Sequence, residues 1–111
     1  MTIHKDLASG HWFELSLVEQ LANIGADVER CLRWFLKNNQ DKSRAAFDRA
    51  IDLIDLTVKD PKNRNRLREI LRVREALIDY YLYDNEYNST AEQWQSYFYQ
   101  FNYAAAIARG R

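Results

Sequence analysis

Between residues 16 and 37 the apolar side chains Leu17, Leu21, Ile24, Val28, Cys31 and Phe35 return at alternating intervals of four and three. That spacing keeps every one of them on a single stripe of an α-helix, because a helix turns about 100° per residue. No other regular backbone produces it over this length, and a stripe of this kind must be covered by other helices. The segment opens with "SLVE", in which Ser16 at the N-cap and Glu19 three residues on can each bond the other's free backbone N–H. Gly25 borders the stripe, where a missing side chain allows close approach of a second helix, at a cost of roughly 1 kcal/mol relative to Ala.

The rest of the chain repeats the pattern. "KNNQD" breaks the first helix, and Asp41 or Ser43 is placed to cap a second over residues 41–58, with Phe47, Ala50, Ile51, Ile54 and Val58 inward. Asp60 and Pro61 suit the N-cap and first turn of a third helix over 61–83, whose inward residues are Leu67, Ile70, Leu71, Leu77, Ile78 and Tyr81. After the polar turn "DNEYN", a second capping box of Ser89 and Glu92 predicts a fourth helix over 89–108, with Trp94, Tyr97, Phe98, Phe101, Ala105 and Ala108 on its core face. With only 3 Gly and 1 Pro in 111 residues, the punctuation for the many turns of an all-β fold is missing. Helices of this length joined by short loops pack antiparallel to their neighbours. The expectation is an all-α, up-down-up-down four-helix bundle forming one domain over 1–111. An extended N-terminal arm through Leu15 covers one bundle end with Trp12, Phe13 and Leu15.

Charge and residue counts narrow the chemistry. Sixteen basic residues offset sixteen acidic ones, so no global field draws the chain to nucleic acid or to anionic lipid. The single Cys31 excludes an internal disulfide, and its helical, apolar setting reads as a buried thiol in a reducing compartment. No apolar run is long enough for a membrane span or a secretory signal, so a cytoplasmic protein is expected. Only His4 and His11 are present, and no Glu-x-x-His pair occurs, so neither a bundle metal site nor a cofactor is expected.

Three features stand out. Arg74 falls among the inward residues of the third helix, and a buried guanidinium requires a carboxylate. Asp27, Asp48 and Asp55 are its candidate partners, with Tyr81 beside it, and the same groups are the candidates for a core polar or ligand site. The run "KDPKNRNRLREILRVR" carries seven basic and two acidic residues. Its Arg64, Arg68 and Arg72 form an outward stripe suited to phosphate or carboxylate, or to pairing with the acidic flank of Asp48, Asp52 and Asp55. Finally, Tyr99, Tyr103 and Ile107 recur at fours opposite the core face of the fourth helix, and Leu53 and Leu56 are assigned a similar outer face on the second. Two apolar faces imply a partner, most simply a second copy of the chain.

The segments "LSLVEQLANIG", "LDLTVKDPKNRNRLREILRVRE" and "NEYNST" followed by "YFYQF" resemble a set of small, uncharacterised prokaryotic four-helix-bundle proteins. That resemblance implies the fold and no activity. In length and architecture the chain is also similar to the four-helix proteins encoded in intervening sequences of bacterial ribosomal RNA genes and to HEPN domains. The HEPN catalytic pattern, an Arg followed four to six residues later by His, is absent. Together these readings predict a non-enzymatic helical interaction module, homo-oligomeric and binding a protein or RNA partner. The alternative is a small ligand-binding or enzymatic bundle built around Arg74.

Overall fold

The computed structural model describes residues 10–110. Four α-helices, α1 (Leu17–Leu36), α2 (Gln40–Lys59), α3 (Leu67–Leu82) and α4 (Ala91–Arg109), make an all-α bundle without a strand among the described residues. Two short 3-10 turns precede α1 and α3, at His11–Glu14 and Pro61–Arg66. Residues 1–9 of the expected arm, with His4, lie outside the described residues.

The starts of α1, α2 and α4 each carry a side-chain cap. At α1, Glu19 N donates to Ser16 Oγ at 3.2 Å and Ser16 N donates to Glu19 Oε1 at 2.9 Å. This is the reciprocal cap read from the sequence. The cap of α2 is Asn39, whose Oδ1 accepts from Lys42 N at 3.1 Å, and not Asp41 or Ser43. Asn38, at φ 59°, turns the chain so tightly after α1 that Asn39 is already in capping position. Ser43, a turn further on, is buried and donates to the Cys31 carbonyl at 2.9 Å. Asp60 caps the Pro61–Arg66 turn, with Pro61 in its first turn, but α-geometry begins only at Leu67. The second capping box is Thr90 with Gln93, one residue after the expected Ser89 and Glu92. Ser89 instead closes a turn with Asn85, which sits at φ 54°.

Leu21, Ile24, Val28, Leu53, Ile54, Ile70, Leu77, Trp94 and Phe98 fill the core with Trp12. Burying each such side chain stabilises the fold by about 1.5–3 kcal/mol. Two faces are rotated from their expected positions. On α2 the buried sector runs through Phe47, Ala50, Leu53 and Ile54, so Leu53 is core, Leu56 packs half-buried against it, and no outer apolar face remains there. On α3 it runs through Ile70, Val73, Ala76 and Leu77, which leaves Leu71 45% exposed. Phe35, at the end of the α1 stripe, is exposed as well.

Helix α1 is the element that both α2 and α4 approach most closely. Gly25 accounts for the α4 side, since a Cβ there would lie 2.7 Å from Phe98 Cβ. On the α2 side, Asp27 is buried and paired with Arg30 of its own helix and with Arg49 of α2 at 3.5 Å. Near its end Cys31 meets Ser43, and near its start Gln20 meets Asn63.

Candidate functional site

The predicted polar core site does not assemble. Because the buried face of α3 is centred on Val73, Arg74 sits on its flank with its side chain 36% exposed. Its Nε donates to Asp55 Oδ1 at 2.7 Å, and Asp55 is itself 44% exposed. The expectation of a largely buried guanidinium is therefore corrected, while its bonded carboxylate is one of the three proposed. Of the other two, Asp27 belongs to Arg30 and Arg49, and Asp48 lies on the surface with Arg44 at 2.9 Å. Tyr81 turns away from Arg74, stacks on Phe47 with centroids 4.4 Å apart and donates to Ser43 Oγ at 2.8 Å. Burial pushes both the Tyr81 phenol and the Cys31 thiol up from their ordinary values.

A polar junction that periodicity did not reveal lies under the Pro61–Arg66 turn. Gln20 Nε2 donates to the Trp12 carbonyl at 3.1 Å and to Asp60 Oδ2 at 2.9 Å, and its Oε1 accepts from Asn63 Nδ2 at 2.8 Å. Asn63 Nδ2 also donates to the Thr57 carbonyl, and Trp12 Nε1 donates to Thr57 Oγ1 at 3.0 Å. All five side chains are buried. Burial pushes the Asp60 carboxyl upward, but hydrogen bonds from Lys62 and Gln20 outweigh it and hold the group below its ordinary range. Every donor and acceptor named here is used within the molecule, so the junction is architecture.

Two surfaces retain unused chemistry. The first is the outer side of α4, where Tyr99, Tyr103 and Ile107 are 65%, 57% and 43% exposed. The Tyr99 and Tyr103 rings stack at 6.2 Å. Tyr99 also lines an open groove of about 470 Å³ between α1 and α4, floored by Gly25, Val28, Leu32, Trp94 and Phe98. The buried Trp94 Nε1 has no acceptor among the described residues.

The second is the outer side of α3. Arg68 and Arg72 are exposed there, while Arg64 sits in the 3-10 turn, off the helical register. Leu67, Arg68, Leu71, Arg72, Glu75 and Tyr87 line a groove of about 470 Å³. Tyr87 comes from the α3–α4 loop, which the sequence reading treated only as a turn. Asp79 fixes that loop by accepting from Glu86 N at 2.9 Å and Tyr87 N at 3.0 Å. The Tyr87 hydroxyl donates to Glu75 Oε1 at 2.7 Å, and that bond pushes the phenol up from its ordinary value.

No group of three or more His, Cys, Asp or Glu side chains is placed to hold a metal ion among the described residues, and none of their helices is long and apolar enough to cross a membrane. No family model matches the chain, and no curated protein or solved structure matches it.

Proposed function

We propose that this chain is a non-enzymatic, cytoplasmic interaction module that associates with a second copy of itself through the outer face of α4. The observation that carries the reading is the line of Tyr99, Tyr103 and Ile107, large groups left in water one helical turn apart. Trp12, one of the residues expected to cover a bundle end, is not on this line but buried against α2 with its indole on Thr57. A net charge of zero offers no electrostatic resistance to pairing. The α1–α4 groove adjoins the line at Tyr99 and gives a second copy a concave surface to fill. The buried Cys31 thiol fits a reducing compartment.

Light scattering across a range of concentrations tests the reading. A dimer is expected for the full chain and a monomer for Tyr103→Glu, with unchanged helicity by circular dichroism. A wild-type mass that stays monomeric at every concentration would end it.

A further inference from the structure

The geometry points to a binding site for single-stranded nucleic acid in the groove on the outer side of α3, with Arg68 and Arg72 on the phosphates and Tyr87 as a stacking platform. The site shares no residue with the α4 face and does not depend on self-association.

The first support is the pattern of ion pairs. Arg30, Arg33, Arg44, Arg49, Arg66 and Arg74 each have a carboxylate partner. Arg64, Arg68, Arg72 and Arg109 have none among the described residues, and of these four Arg68 and Arg72 share one groove, with Glu75 beside them. Glu75 is engaged by the Tyr87 hydroxyl instead. Four residues apart on a helix, the two arginines project side by side, about 5–6 Å apart at Cβ. Their guanidiniums therefore span neighbouring phosphates of one strand and can each make paired bonds to phosphate oxygens.

The second support is the placement of Tyr87. Tyr87 is 51% exposed and lies outside the core, yet its backbone is pinned by Asp79 and its hydroxyl by Glu75. An exposed aromatic ring held in place in one groove with two cations and the apolar Leu67 and Leu71 suits an unpaired base, which stacks through a π-face whatever its identity. A duplex keeps its bases stacked on one another and cannot use the ring. An acidic peptide would satisfy the arginines but gain nothing specific from it.

Fluorescence anisotropy with a labelled, mixed-sequence single-stranded RNA tests the proposal, with single-stranded DNA, the matching RNA duplex and polyglutamate as further probes. The single strands are expected to bind, and the duplex and polyglutamate to bind more weakly. Arg68→Gln with Arg72→Gln should lower the slope of log affinity against log salt by about 1.4, the loss of two single-strand phosphate contacts. Tyr87→Ala should weaken binding about tenfold without changing that slope, and Tyr87→Phe, which keeps the ring, should retain most of the affinity. Thermal melting confirms that each variant is folded. Absence of single-strand binding at low salt, an unchanged salt slope in the arginine variant, or polyglutamate binding that matches RNA and ignores Tyr87→Ala would each overturn the proposal.

Discussion

The junction beneath the Pro61–Arg66 turn and the groove outside α3 are built from similar materials, an aromatic ring, amides or guanidiniums, and a carboxylate. They use them in opposite ways. In the junction, Trp12, Gln20, Thr57, Asp60 and Asn63 are buried and bonded to one another. In the groove, Tyr87 is positioned as carefully, but its exposed ring and the two arginines lining the same groove have no partner among the described residues. Polar groups that are buried must be paired, since an unpaired one costs its full desolvation, so such a network fixes the fold. Groups that are held in place yet left unpaired contribute little to folding, and their positioning is available for something outside the molecule.

The sharpest way to break this contrast is at Gln20. Gln20→Leu is nearly the same size but removes the donor to Asp60 and the Trp12 carbonyl and the acceptor for Asn63. The stranded partners are buried, so the loss should be about 3 kcal/mol, read from the urea midpoint at constant slope. A loss within about 0.5 kcal/mol, the range typical of an unimportant surface change, would show that the junction is not structural.

The helices were legible in the sequence and the junction was not, for a physical reason. Periodicity reports the face from which apolar groups must leave water, so α1, with its cap at Ser16 and Glu19 and its stripe from Leu21 to Cys31, could be read directly. The same signal is ambiguous where apolar residues are plentiful. On α2 and α3 the reading placed Leu53 outside and Leu71 inside, because either face could be drawn through neighbouring residues, and packing against α1 decides between them. Gln20 carries no such signal at all, since its burial depends on Asp60 and Asn63, forty and more positions away. Tyr87 was passed over because a tyrosine in a polar turn looks ordinary until Asp79 and Glu75 are seen to hold it. Arg64, Arg68 and Arg72 were read as one outward stripe, but that Arg64 falls in the 3-10 turn and that Arg68 and Arg72 lack carboxylate partners among the described residues needed the three-dimensional arrangement.

An intermediate effect is expected from acid at the junction. The Asp60 carboxyl is held below its ordinary value in the folded chain, so its contribution is fully present above the unfolded value of about 3.9 and is lost as pH falls through the lower folded value. Comparing urea midpoints of the wild type and Asp60→Asn between about pH 6 and about pH 2 isolates this from the other carboxylates. The wild type should lose its advantage only in the acid part of that range. Parallel curves for the two proteins would mean that Asp60 gains nothing from its charged bonds to Lys62 and Gln20.

The smallest effect concerns Arg74, the residue that most drew attention in the sequence. Had its guanidinium been in the core, removing it would have stranded a buried aspartate, at a cost of about 3–5 kcal/mol. Its bond to Asp55 instead lies where both side chains are more than a third exposed, and water can replace either partner. Exposed pairs of this kind contribute about 0.2–1 kcal/mol, because the attraction is screened and two side chains must be ordered to obtain it. Arg74→Met should therefore cost less than about 1 kcal/mol in urea unfolding, and high salt should shrink the difference further. Met keeps much of the aliphatic length of the arginine side chain, which separates loss of charge from loss of packing. A salt-independent cost near that of Gln20→Leu would place the Arg74–Asp55 pair with the junction, as a structural contact rather than a screened surface one.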